Sequence, residues 1–207
     1  MCKEELIEAV YAIELDMFEN VHHVNGKALC QSERGIFRIN RLSNLKTWPE
    51  EILGSYLYDL ESAKALGFNL MSEKYARMME TTYAEEYEKI KDCIPVLTDE
   101  KKKLINKLTH ILLDWESEIR HRYPFLDHRG RPLYSNQDSV VMTSFETYTR
   151  GELSVLSMNT LELYLNHCEK LINQGINGSE EIYKNMILMY GYASLEAAAE
   201  KFDGSIL

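Results

Sequence analysis

The sequence predicts an all-α, single-domain bundle of about seven to nine helices over residues 1–207, with one long loop near 125–141. Three observations carry that expectation. Apolar residues recur at three- and four-residue spacing along most of the chain, the period of a helix packed on one face. Ser, Thr and Asn precede these runs, and Gly or Pro follows them, as helix ends require. The strict apolar/polar alternation of a half-buried strand is missing.

Residues 3–22 place Leu6, Val10, Ile13, Met17 and Val21 on one stripe. A second helix is expected over about 31–45. Thr47 with Glu50 reads as a capping box for a helix ending at Gly67, and residues 70–81 follow with Met71, Tyr75, Met78 and Met79. Thr82 with Glu85 opens a short helix before Pro95. Thr98 caps a long helix whose stripe is Leu104, Leu108, Ile111, Leu112, Trp115 and Ile119, closed by Pro124. The following stretch has Gly, Pro, Asn and Asp but no period, so it reads as the long loop. Thr143 with Glu146, Asn159 with Glu162, Ser179 and Ser194 then start the remaining helices, with breaks at Gly175 and Gly191.

Composition excludes several classes. The hydrophobic share of 45% and charged share of 27% are those of an ordered globular chain. No apolar run approaches the roughly 18–20 residues of a membrane span, so no membrane partner is expected. The opening MCKEELIEAV puts acids where a secretory leader carries bases and an apolar stretch. Cys2, Cys30, Cys93 and Cys168 are far apart and read as free thiols of a reducing, cytoplasmic setting. A net charge of −10 argues against nucleic acid, whose binders carry a basic face. Two segments depart from that balance: residues 27–46 and 101–134 are each net +4.

Candidate chemistry comes from charges placed where a helix should be apolar. Glu14 falls about 40° from the centre of the first stripe, between Val10 and Met17. Glu152 lies near the centre of the stripe made by Phe145, Tyr148, Val155 and Leu156, and Arg122 falls inside that of the long helix. Desolvating a lone ion costs several kcal/mol, so such groups must satisfy one another or a ligand. The structural alternative, an Arg–Glu network fixing helix register with Arg122 or another arginine as the partner of Glu152, is preferred over a functional one. In the functional one, Glu14 or Glu152 is a general acid or base whose pKa is raised by burial. Arg34, Arg38 and Arg41 share one helical face, and Arg129 and Arg131 flank Gly130 in the loop. Guanidinium forks match carboxylate and phosphate, so these residues form either an anion pocket or a solvated basic face.

Two Glu-x-x-His pairs, Glu19…His22 and Glu118…His121, have the spacing of di-metal bundles. On the helical wheel Glu19 points away from its stripe and His121 lies outside its own, so neither a metal nor a cofactor is expected.

Several stretches in fixed order resemble a bacterial all-helical family, domain of unknown function 4125: DMFENV, KYARMME, WESEI with RYP, RGRP, TSFETYTRGEL and YGYASLEAA. The resemblance spans nearly the whole chain and implies an all-helical fold but no reaction. It also implies a possible partner, because some members stand beside nucleotidyltransferase-like domains. The expected function is a helical binding or accessory protein for a small anionic ligand, using Arg34, Arg38, Arg41, Arg122, Arg129 and Arg131. The alternatives are an enzyme of unassigned reaction and an interaction partner of a nucleotidyltransferase-like protein.

Overall fold

The computed structural model describes residues 1–21 and 34–203, apart from the side chains of residues 128, 129 and 203. The described residues form eleven α-helices: α1 Lys3–Glu19, α2 Arg34–Leu45, α3 Glu50–Ala65, α4 Leu70–Thr82, α5 Ala84–Ile90, α6 Asp99–Arg122, α7 Phe125–Arg129, α8 Phe145–Ser154, α9 Met158–Asn173, α10 Gly178–Met189 and α11 Leu195–Asp203. The count exceeds the expected seven to nine because of short segments. α5, seven residues long, is the short helix expected before Pro95, whereas α7 has five residues, too few to display a 3.6-residue period. α7 occupies the start of the stretch expected to be loop, where Phe125 and Leu126 are buried. The rest of that stretch holds a 3-10 turn at Ser135–Gln137 and an isolated bridge between Ser139 and Met142. Among the described residues no helix is long and apolar enough to cross a membrane.

Helix starts follow local hydrogen bonding rather than the nearest box motif. Thr98 and Ser194 cap as expected, their side chains accepting from Lys101 N and Ala197 N. Four expected boxes are displaced. The Thr47 hydroxyl donates to the Asn44 carbonyl and closes the preceding helix, and the Thr82 hydroxyl donates to that of Met78. Ser144 and Ser157 cap in place of Thr143 and Asn159. Adjacent Ser, Thr and Asn compete for one orphan N–H, and the backbone position decides between them. The expected stops hold. Gly67 and Gly191 take positive φ of 76° and 86°, and the next residue's N–H returns to the carbonyl five positions back.

Packing brings the charged positions together. α1 lies against α2, α3 and α4; α4 lies against α8; α6 reaches α8, α9 and α10; and α2 packs on α10. The main core includes Val10, Leu45, Leu53, Leu60, Leu108 and Leu161, and each such side chain contributes about 1.5–3 kcal/mol of burial. A smaller core of Ile119, Phe125, Leu126, Ile187, Leu195 and Ala198 joins the end of α6 to α7, α10 and α11. Two glycines set the closest approaches. A Cβ at Gly151 would stand 3.1 Å from the Lys74 carbonyl, and one at Gly178 would stand 2.5 Å from the Trp115 ring. Gly151 therefore holds α8 against α4 where Glu152 meets Lys74.

Candidate functional site

Five helices each supply a polar group to one cluster in the core. Glu14 of α1 is fully buried and accepts from Arg41 of α2 through both oxygens, Nε to Oε2 at 2.8 Å and Nη2 to Oε1 at 2.6 Å. Tyr56 of α3 adds a third bond to Glu14 at 2.7 Å. Arg41 uses its other arm, Nη1, on Glu152 of α8 at 2.8 Å. The same Glu152 oxygen accepts from Lys74 of α4 at 2.9 Å, and Lys74 also donates to the Tyr148 hydroxyl at 2.9 Å. Two carboxylates thus meet two cations, and the cluster is neutral as a whole. That neutrality is what makes its burial tolerable.

The ionisation states follow from the geometry. Burial pushes the Glu152 carboxyl up, but Lys74 and Arg41 more than offset this and hold it at about 2. This corrects the expectation of a raised carboxyl at this position: Glu152 is a fixed anion and not a proton donor near neutrality. Burial pulls Arg41 and Lys74 down, yet their carboxylates leave both raised, so each stays charged. Burial, reinforced by Glu14, keeps the Tyr56 hydroxyl protonated.

A second cluster stands on α6. Arg120 donates through Nε to Glu116 at 2.8 Å, and Tyr183 of α10 donates to the same oxygen at 2.7 Å. Nη1 of Arg120 reaches the Arg131 carbonyl at 2.7 Å and Asp127 at 3.4 Å. Arg120 and Glu116 are 5% and 1% exposed.

Both clusters face a cavity of about 840 Å³ running between α2, α4, α6, α8 and α10. Its walls are mostly apolar and aromatic, among them Phe37, Trp48, Tyr75 and Phe145. Its charged lining among the described residues is Arg41, Lys74, Arg120, Arg131, Glu116 and Glu152. A second, more open hollow of about 600 Å³ lies under the 130–142 loop and shares Arg120, Gly130 and Arg131 with the first.

The sequence-predicted residues divide between this interior and the surface. Glu14, Arg41 and Glu152 come together. Arg34 instead pairs with Glu19 at 2.6 Å, and Arg38 pairs with Glu8 at 3.2 Å while lying over the Tyr11 ring. All three arginines of α2 thus meet an acid of α1, and only Arg41 does so in the interior and also lines the cavity. Arg122 is corrected: it is on the surface, bonded to Glu118 and Glu180, and the arginine that partners Glu152 is Arg41 instead. The α6 stripe rotates so that Arg120, two residues earlier, points inward. Arg131 lies at the cavity wall, over the Tyr148 ring, with Nη1 donating to the Thr143 carbonyl at 3.0 Å. The side chain of Arg129 lies outside the described residues, as do His22 and Cys30. Glu19 and Glu118 each answer an arginine. Cys168 is buried, and burial pushes its thiol up to about 12, so it is an inert packing group.

Three interior charges escaped the sequence reading although the signal was present. Lys74 stands three residues after Met71 and four before Met78, on the α4 stripe itself. Glu116 stands four after Leu112 and three before Ile119, and Arg120 four after Glu116.

The family model described as Protein of unknown function (DUF4125) matches residues 4–200, and the chain belongs to that family. No curated protein and no solved structure matches it.

Proposed function

We propose that this DUF4125 chain is a binding protein for a small anionic ligand, held in the cavity between α2, α4, α6, α8 and α10. The observation that carries the proposal is the charge of the lining. Four cations and two carboxylates give net +2 at the wall, inside a chain of net −10. Counting Glu14, which stands behind Arg41 and outside the lining, leaves +1. Donors also remain: Arg41 spends three N–H groups on carboxylates and Lys74 two on Glu152 and Tyr148, out of five and three respectively. A volume of about 840 Å³ with aromatic walls is of the size and character that small-molecule sites have.

Glu152, kept ionised at about 2, favours a positioning role over proton transfer, which supports binding ahead of the general-acid alternative. A thermal-shift panel of small aromatic carboxylates, phosphates and neutral isosteres tests the reading. Anions are expected to raise the melting temperature by a few degrees at concentrations about tenfold above Kd. A panel in which only neutral molecules stabilise the protein, or none does, would contradict it.

A further inference from the structure

The cavity and the loop hollow meet at three residues, Arg120, Gly130 and Arg131, and this junction has what an anionic head needs. Arg131 has no carboxylate partner among the described residues; its one hydrogen bond goes to a backbone carbonyl. Its guanidinium nevertheless is held in place by that bond and by the Tyr148 ring, 4.7 Å from centroid to Cζ. Arg120 is 5% exposed and spends Nε and Nη1 on Glu116, Asp127 and the Arg131 carbonyl. Among the described residues its Nη2 is hydrogen-bonded to no carboxylate, and it lies 3.5 Å from where a Cβ of residue 130 would be. A Cβ there would come within 2.7 Å of the Leu126 carbonyl, so the close turn of the chain at the end of α7 takes glycine at 130.

Resting on the binding role argued above, we infer that the junction is the head-group subsite of the cavity and that the ligand is an amphipathic carboxylate. The carboxylate lies between Arg131 and Arg120 Nη2, with an aromatic or alkyl body in the cavity. The charge count selects a single negative charge. Arg120 is already answered by Glu116 and Asp127, whereas Arg131 meets no carboxylate among the described residues, so one negative charge answers it and a phosphate dianion overshoots. Guanidinium presents two parallel donors to such a group, a match that lysine lacks. The aromatic walls, among them Phe37, Trp48, Tyr75 and Phe145, accept an apolar body.

The test is titration calorimetry with 4-phenylbutyrate, 4-phenylbutyramide and phenyl phosphate, on the wild type and on Arg131→Ala, Arg131→Lys and Arg38→Ala. Circular dichroism confirms folding of each. The expected result is 1:1 binding of 4-phenylbutyrate, weakened at least tenfold in Arg131→Ala, partly kept in Arg131→Lys and unchanged in Arg38→Ala. Wild-type affinity in Arg131→Ala would overturn the subsite while leaving the cavity as the binding place. Tighter binding of phenyl phosphate than of 4-phenylbutyrate would overturn the assignment to a carboxylate. Equal binding of the amide would overturn the anionic head. No binding of any of the three to the wild type would overturn both the subsite and the binding role it rests on.

Discussion

Arg41 and Glu152, 111 residues apart in sequence, meet at 2.8 Å, and Arg41 holds Glu14 with its other arm. One guanidinium therefore ties the first helix of the chain to the eighth. Lys74 completes the arrangement from α4.

The first prediction concerns the charge of Glu152. Glu152→Gln keeps the shape and leaves Lys74 and Arg41 with one carboxylate, Glu14, between them. Breaking a buried pair costs about 3–5 kcal/mol, and a side chain 26% exposed falls at or below the lower end of that range. Urea unfolding should show a loss of about 2–3 kcal/mol. A loss under about 0.5 kcal/mol, the scale of a surface change, would show that solvent already screens the pair.

Coupling within the cluster gives a second prediction. Lys74→Met retains the buried stem and removes the ammonium, so its effect should depend on whether Glu152 is charged. A double-mutant cycle of Lys74→Met with Glu152→Gln should yield a coupling of about 1–3 kcal/mol. Additive losses would mean that the 2.9 Å contact carries no energy of its own.

The third prediction is a pH dependence. The Glu152 carboxyl titrates at about 2 in the folded chain against an ordinary value of 4.5. Its contribution is fully present above the unfolded value and is lost as pH falls from about 4.5 toward 2. That difference corresponds to roughly 3 kcal/mol. Glu152→Gln should accordingly flatten the acid limb of the stability curve in that window. Parallel limbs for variant and wild type would place the titration elsewhere.

The fourth prediction separates two arginines on one helix. Arg120 is buried against Glu116, whereas the Arg122 side chain is 46% exposed and bonded to surface acids. Arg120→Met should cost about 3 kcal/mol or more by stranding Glu116, and Arg122→Ala less than about 1 kcal/mol. The reverse order would restore the helix phase that the sequence alone favours.

Much of the fold was legible because helical period and glycine stops are local properties. Gly67, Gly175 and Gly191 mark their helix ends in the sequence and take positive φ in the structure. Caps were less legible, since Thr143 beside Ser144, or Ser157 two residues before Asn159, offers two side chains for one helix end. Within the site, Glu14 and Glu152 stand out from their stripes, and their burial follows from one helix's phase. Their partners do not. Which cation meets Glu152 depends on how α2, α4 and α8 are arranged, and no single-helix pattern encodes that. On α6 the expected Leu108, Leu112, Trp115 and Ile119 are buried, but the buried face extends to Thr109, Leu113, Glu116 and Arg120, away from the side that carries Arg122. The surface pairing of Arg34 and Arg38 depends on the acids of α1, which the charge count of residues 27–46 does not see.

The cavity beside Arg41, Lys74, Arg120 and Arg131 is the place proposed for a small anion. The most direct measurement is the protein NMR spectrum of the wild type, with methionine methyls labelled, titrated with 4-phenylbutyrate. Met71 and Met186 line the cavity, whereas Met158 is exposed on α9 outside it. The account predicts saturable shifts of Met71 and Met186, no shift of Met158, and none of either kind with the neutral amide at the same concentrations. Saturating shifts at Met158 with Met71 and Met186 unmoved, or equal shifts with acid and amide, would contradict it.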